Sequence, residues 1–375
     1  MPTTAAVAVA TLTLVVTCST RPIQADDGRR DPTRDGLGVL SGARIETPPM
    51  WERDAVRVMH DAAPSSDARA MTALGARYAS GCSVERDDGM AVRCYASAAE
   101  QGDSNAMFLL ASMHARGRGV VRDPRVAFEW RLKAADAGNV RAMTSVGSAF
   151  ASGTGVEADG FEAVRWFLKA VDGGDTMAMA NLGALYLGGF GGNHGVQADR
   201  TKAIHWLRVA GECGDVYSMV ALGDLYSRSP RGARNYDEAI RWYARAVALG
   251  NTKAMTSLGV LFADGKGCDA KPAEAARLFL VAAKDGVPEA MLNLAGLYRD
   301  GRGVTKSLEE SYFWACNGAA SLTDRTRESA LAFTARLGAK LSADARAMLD
   351  ARHQSWMARD RSATEPYAAV SDESK

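Results

Sequence analysis

Residues 142–174 read AMTSVGSAFASGTGVEADGFEAVRWFLKAVDGG, and the pattern returns along most of the chain. Its Met143 is one of seven methionines in step: Met71, Met107, Met143, Met179, Met219, Met255 and Met291. The step is 36 residues everywhere except between Met179 and Met219, where it is 40. A fixed period of this length marks a stack of like units, each burying its apolar face against a neighbour. Such a stack offers a continuous surface for binding rather than a pocket enclosed by a sheet.

Other columns keep the same period. Three residues after each Met stands an apolar one: Leu74, Leu110, Val146, Leu182, Leu222, Leu258 and Leu294. Next comes a small one: Gly75, Ala111, Gly147, Gly183, Gly223, Gly259 and Ala295. Three further on is a ring: Tyr78, His114, Phe150, Tyr186, Tyr226, Phe262 and Tyr298. These offsets trace one face of an α-helix, helix A of each repeat. The small residue predicts a close helix approach, with Met, Leu and the ring filling the seam.

Helix A is followed by Gly117-Arg118-Gly119-Val120, Gly153-Thr154-Gly155-Val156, Gly265-Lys266-Gly267-Cys268 and Gly301-Arg302-Gly303-Val304. Glycine after a helix suits the left-handed cap. Then come Asp87, Asp123, Asp159, Asp199, Asn235, Lys271 and Ser307, mostly N-cap residues that start a helix B. Pro124 and Pro272 fit the first helical position, and Glu162, Glu238 and Glu310 the capping-box position. Helix B carries Ala127, Ala163, Ala203, Ala239 and Ala275, then Trp130, Trp166, Trp206, Trp242, Leu278 and Trp314. Gly102, Gly138, Gly174, Gly214, Gly250 and Gly286 close it, and Asp103, Asn139, Asp175, Asp215 and Asn251 cap the next helix A.

The pattern Ala-Met-x-x-Leu-Gly-x-x-Tyr, Gly-x-Gly-Val-x-x-Asp, Ala-x-x-Trp, Lys-Ala-x-x-x-Gly resembles the Sel1-like repeat, a relative of the tetratricopeptide repeat. Lys169-Ala170 stands in the family's place. The resemblance covers about two thirds of the chain in seven copies. It implies an all-α fold, a right-handed α-solenoid serving as an adaptor for other proteins.

The array is expected to span residues 70–322, with segments of different character on either side. Residues 1–20, MPTTAAVAVATLTLVVTCST, are apolar and small and look like a secretory signal, though without a positive n-region. Val15-Val16-Thr17-Cys18 loosely resembles a lipoprotein signal, with Cys18 as the residue lipidated. Residues 21–50, rich in Asp, Arg, Gly and Pro, read as a flexible linker. Residues 51–69 read as a leading helix with Trp51, Val58 and Met59 turned inward. Leu322 replaces the closing glycine, and residues 323–360 read as two helices that cap the last repeat. Residues 361–375 read as a disordered tail.

Composition narrows the chemistry. Hydrophobic residues make up 47% of the chain, enough for a folded core. Lys and Arg number 45 against 44 Asp and Glu, leaving no basic excess for nucleic acid. The array holds no apolar run long enough to span a bilayer, so a membrane contact would come only through the N-terminal anchor. Cys94 falls in the Trp column, Cys268 in the Val column and Cys316 in the column of Leu132, Leu168 and Leu280, so all three read as core. Cys82 lies on a loop and Cys213 near the end of a helix B; Cys82 with Cys94 is the one close pair for a bridge. No CxxC or His/Cys spacing suggests a metal, and no residue set suggests a cofactor. The Gly-x-Gly turns lack the following Lys-Ser or Lys-Thr of a phosphate loop. His60, His114, His194, His205 and His353 share no repeat, and no nucleophile has a base beside it, so no catalytic residue is expected. His114, in the ring column, reads as core. The extra four residues fall in Gly188–Gly195, a longer turn in which Phe190 could meet a partner.

The face of helix A opposite the seam is expected to line the groove of the solenoid. It carries Asn105, Leu109, Ser112 and Arg116 in one repeat, then Arg141, Ser145 and Ser148 in the next. The later rows are Met177, Asn181, Ala184; Tyr217, Ala221, Asp224; Lys253, Ser257, Val260; and Glu289, Asn293, Gly296. Asn offers donor and acceptor to an extended backbone, and the mixed charges predict neither a simply acidic nor a simply basic ligand. The expectation is a monomeric, non-enzymatic scaffold of the bacterial cell envelope, exported and binding a protein or peptide. The alternatives are a cell-wall-directed hydrolase, as suggested for some members of the family, and a cytoplasmic regulatory adaptor.

Overall fold

A computed structural model describes residues 67–82, 84–188, 195–229, 234–323 and 326–358. The signal segment with Cys18, the linker, Trp51, Val58, Met59, Phe190 and the tail lie outside the described residues. Helix A of the successive repeats is α1 (Ala68–Ser80), α3 (Ser104–Arg116), α5 (Val140–Ser152), α7 (Thr176–Tyr186), α9 (Val216–Arg228), α11 (Thr252–Asp264) and α13 (Pro288–Asp300). Helix B is α2 (Asp88–Glu100), α4 (Pro124–Asp136), α6 (Gly160–Asp172), α8 (Arg200–Glu212), α10 (Tyr236–Ala248), α12 (Pro272–Lys284) and α14 (Leu308–Ser321). Two more helices follow, α15 (Thr326–Gly338) and α16 (Ala343–Ala358). No strand occurs among the described residues, and the fold is an all-α solenoid. The chain divides into two compact units, Met1–Asp123 and Pro124–Lys375. The first helix begins at Ala68, inside the segment read as a leading helix, because Asp67 caps it by accepting from the Arg69 and Ala70 amides.

One backbone bond closes every hairpin. The amide of the residue before helix B donates to the carbonyl of the ring column: Asp87 to Tyr78, Asp123 to His114, Asp159 to Phe150, Asp199 to Tyr186, Asn235 to Tyr226, Lys271 to Phe262 and Ser307 to Tyr298, all at 2.8 to 3.0 Å. This corrects the capping-box reading. The N-cap amide is already satisfied by helix A, so Glu162, Glu238 and Glu310 have no donor to reach back to. They pair with Arg165, Arg241 and Arg352 instead. The N-cap side chains do cap: Asp159 accepts from Phe161 and Glu162, Asn235 from Glu238 and Ser307 from Glu310. Lys271 makes no such bond, and Pro272 at the first turn removes one amide that would need it.

The seam explains the small column. A Cβ at Gly147 would stand 2.7 Å from the Phe167 ring, and one at Gly223 would stand 2.4 Å from Tyr243. Gly75 meets Tyr95, Gly183 meets Leu207 and Gly259 meets Phe279 in the same way. In these five repeats the bulky residue directly after the Trp column of helix B thus packs closely on helix A of its own repeat. In the seventh repeat Ala295 replaces glycine, and the facing column shrinks to Ala315; both are fully buried. The methionines lie on this seam, Met179, Met219 and Met291 buried and the other four half-buried. The Trp column is covered from outside by cations one turn on: Lys133 over Trp130, Lys169 over Trp166 and Arg245 over Trp242, at 4.2, 3.9 and 4.7 Å from the ring centres.

Adjacent repeats are joined by backbone proximity and by side-chain latches. The second glycine of each Gly-x-Gly turn has positive φ and nests on the start of the preceding helix B. A Cβ at Gly155 would come within 2.1 Å of the Pro124 carbonyl oxygen, and one at Gly303 within 2.2 Å of the Pro272 carbonyl carbon. Between two A helices, Thr144 donates to the cap Asp175, and in the first unit Thr72 donates to Asp103. Arg302 reaches from its turn to the Ala263 carbonyl.

In the first unit α1, α2 and α3 pack on Leu74, Ala91, Cys94, Tyr95 and Leu110. There Arg118 donates to the Ala79 carbonyl at 2.7 Å and to the Asp88 carboxylate. Arg118 foremost, then Arg86, hold Asp88 well below the usual carboxylate range. The folded pKa is depressed, so this contribution is present above the ordinary value of 3.8 and is lost as the pH falls below it toward the folded pKa. Asp88→Asn is expected to lower the urea midpoint of the first unit at neutral pH and to flatten its fall below that value. Parallel acid limbs for the two proteins would refute the role of this pair.

In the second unit the four extra residues are absorbed between Gly188 and Gly195. Helix α7 stops at Tyr186, two residues short of its counterparts, and Gly195 regains the nested position, where its Cβ would meet the Phe161 ring at 2.4 Å. At the far end α15 and α16 pack on α14. Leu337, Leu349 and Trp356 join Phe313 and Trp314 in one apolar cluster. Tyr312 donates to Asp350 at 2.9 Å, and His353 bonds the buried Asn317 at 2.9 Å. Burial and the Asp350 carboxylate raise the Tyr312 hydroxyl above its ordinary range.

Candidate functional site

The A helices present the candidate groove residues in a regular gradient of exposure. In the first unit Asn105 is exposed and Ser112 half-buried on α3. In the second unit the first-turn positions Arg141, Met177, Tyr217, Lys253 and Glu289 are all exposed. One turn later Ser145, Asn181, Ala221, Ser257 and Asn293 are all half-buried. The third positions, from Ser148 to Gly296, are half-buried as well. The seam is sealed and the opposite face is not, which follows from the offsets 0, 3, 4 and 7 facing one way.

Hydrogen bonding decides what this face offers. Ser112 and Ser148 donate to the Phe108 and Thr144 carbonyls of their own helices, at 3.2 and 3.0 Å. Their oxygens therefore present lone pairs. Asn181 spends one amide hydrogen on Ser148 of the neighbouring repeat at 3.4 Å. Its carbonyl oxygen makes no bond of its own in that contact, so the residue is more acceptor than donor here.

The third row is unlike the others in one place. Asp224 accepts from the Tyr243 hydroxyl at 2.6 Å and stands 3.5 Å from both Arg228 and Lys253. Burial first, and then the Asp224 bond, push Tyr243 up to about 12, so the phenol keeps its proton. Tyr243 is a site residue that the column pattern did not single out. It belongs to the column behind Trp, and its polarity is what distinguishes it from Phe167, Leu207 and Phe279 at the same place. Beside this network lies a cavity of about 710 Å³ framed by α9, α11 and α13. Of the residues singled out for the groove it brings together Lys253, Ser257, Val260, Glu289 and Asn293, and its lining does not include Arg141, Ser145, Asn181, Tyr217 or Asp224. It adds Arg228, which ends its A helix as Arg116 does in the first unit, and Arg234 and Lys266, which lie beyond the C-terminal ends of A helices.

Other candidates stay outside this arrangement. Cys82 and Cys213 are exposed, Cys94 is buried, and Cys268 and Cys316 are half-buried; Cys82 and Cys94 form no disulfide with each other. Burial raises the Cys94 and Cys316 thiols. His114 is half-buried in the ring column. Among the described residues no group of three or more His, Cys, Asp or Glu is placed to hold a metal ion. No described helix is long and apolar enough to cross a membrane.

Comparison with known proteins agrees with this geometry. The Sel1 repeat profile matches seven consecutive stretches: 68–103, 104–139, 140–175, 176–215, 216–251, 252–287 and 288–320. No curated protein matches the chain. Among solved structures it is similar to c5321, a protective antigen of uropathogenic Escherichia coli displaying an SLR fold, with 24% identity and a TM-score of 0.69 over 86% of this chain and 69% of that one. It is also similar to a Sel1 repeat protein from Oxalobacter formigenes, with 28% identity and a TM-score of 0.60 over 74% of this chain and 79% of that one. Repeats of this kind generally serve protein–protein interaction. With its seven repeats matched in register, the chain belongs to the Sel1 repeat family.

Proposed function

We propose that the protein is a non-enzymatic, monomeric scaffold that binds a protein or peptide along the groove face of its A helices. The observation that carries this reading is the graded row from Arg141 to Asn293, exposed at the first turn and half-buried at the second in every repeat of the second unit. A row of that regularity suits an extended chain, whose own backbone groups repeat at a fixed interval. The hydroxyl and amide oxygens along it would accept from backbone amides. The apolar stretch 1–20 supports export to the bacterial envelope, with Cys18 available for lipidation.

Affinity capture from fractionated cells tests both parts. The tagged protein is expected in the envelope fraction; recovery from cytoplasm alone with Met1 intact would overturn export. Asn181→Ala with Asn293→Ala is expected to weaken a captured partner about tenfold, the cost of two lost polar contacts in a half-buried groove. Unchanged binding would remove the groove from consideration.

A further inference from the structure

We infer that the cavity framed by α9, α11 and α13 receives the carboxylate side chains of an extended acidic segment of a partner protein. The inference rests on the groove reading above and names the ligand chemistry at one end of it. Taken over its whole length the groove mixes both signs, whereas the lining of this cavity is predominantly basic. Arg228, Arg234, Lys253 and Lys266 line it against the single carboxylate of Glu289. At about 710 Å³ it has room for several side chains of a ligand.

The cations are held in place without being used up. Arg234 donates to the Ser229 carbonyl at 2.8 Å and to the Tyr236 hydroxyl at 3.3 Å, both neutral acceptors. Arg228 and Lys253 must share Asp224, each at 3.5 Å, and that carboxylate already accepts the short bond from Tyr243. Lys266 pairs with Asp264 in an exposed contact. Pairs whose cation is this exposed contribute little, so a ligand carboxylate can replace them at small cost. Asp224 thus works as a placeholder, drawing Arg228 and Lys253 toward one point.

The neighbouring repeats complete the recognition. Met177 on the preceding A helix, α7, and Tyr217 at the start of α9 are 65% and 70% exposed at the first-turn position. Packed helices lie about 8–10 Å apart and an extended chain rises about 3.3 Å per residue, so successive repeats read about every third residue. A segment with an apolar side chain for Met177 or Tyr217, followed at that spacing by Asp or Glu, meets both features.

Panning a displayed library of random linear peptides against the full chain tests this. Selected peptides are expected to be enriched in Asp and Glu. A resynthesised binder should weaken about tenfold with Arg234→Gln or Lys253→Gln, as loss of a charge-assisted contact implies, and also when its acids become amides. Glu289→Gln should tighten it, an outcome that a misfolded variant cannot mimic. Enrichment without acidic residues, or affinities indifferent to all three substitutions, would overturn the cavity while leaving the groove standing. Selection of no peptide at all would overturn both. Preferential binding of a single-stranded nucleic acid homopolymer at this cavity would replace the peptide with a phosphate ligand and refute the inference.

Discussion

Gly155→Ala is expected to lower the stability of the second unit by about 2–5 kcal/mol, the sum of a left-handed backbone strain and an overlap that cannot relax. Gly155 has φ near 77°, which an alanine adopts only at a cost. The added Cβ would also fall within 2.1 Å of the Pro124 carbonyl oxygen, a backbone atom at the start of α4 that has no rotamer to escape into. Relief requires the turn and the preceding helix B to separate. The control is Gly174→Ala. That residue has φ near 84° but nothing within 4 Å of its Cβ, so it should show the conformational cost alone, about 1–2 kcal/mol. Urea titrations followed by circular dichroism compare the two. Equal losses would mean that the second glycine of the turn serves conformation only and does not set the distance between repeats.

That distinction marks where the sequence stops being readable. The period, the helix pairs and the caps were legible because each rests on a local rule: a 3.6-residue face, an N-cap oxygen or a terminal glycine. Both glycines of Gly153-Thr154-Gly155 look like turn residues from such rules. Only the fold shows that Gly153 ends its own helix whereas Gly155 touches the helix before. The capping-box reading failed for a related reason. Glu162 has the right offset from Asp159, but the amide it would serve is taken by the Phe150 carbonyl, nine positions back. The groove rows were legible as a helix face, and their graded exposure follows from the same period. The cavity at its far end was not, because Arg234 comes from the connection after α9, and the turn that carries Lys266 is readable from sequence only as a glycine turn. Tyr243 was hidden in the open: its neighbour Trp242 carries the column, and a phenol differs from the phenyl of Phe167 by one oxygen whose partner, Asp224, occurs in only one repeat.

The seam allows a sharper test, since it couples two columns on facing helices. Phe167→Ala should cost about 3–5 kcal/mol, as removal of a fully buried ring from a close-packed seam does. Gly147→Ala should cost about 1–3 kcal/mol for overpacking, less about 1 kcal/mol regained from helix propensity, because its Cβ would stand 2.7 Å from that ring. In the double variant the overlap is gone, the new methyl occupies part of the space the ring left, and the helix gain remains. The double variant should therefore be no less stable than Phe167→Ala alone, giving a coupling of at least about 1 kcal/mol. The seventh repeat already pairs Ala295 with Ala315, both fully buried, so the architecture tolerates this solution. Additive losses would show that glycine is required at Gly147 for a reason other than the ring. Coupled losses would fix the chain of cause: where glycine faces it, the residue behind the Trp column sets how closely helix B lies on helix A. The helix that carries Gly147 in the seam carries the half-buried Ser145 of the groove row, so a seam residue that no ligand touches is expected to shift the groove behind it.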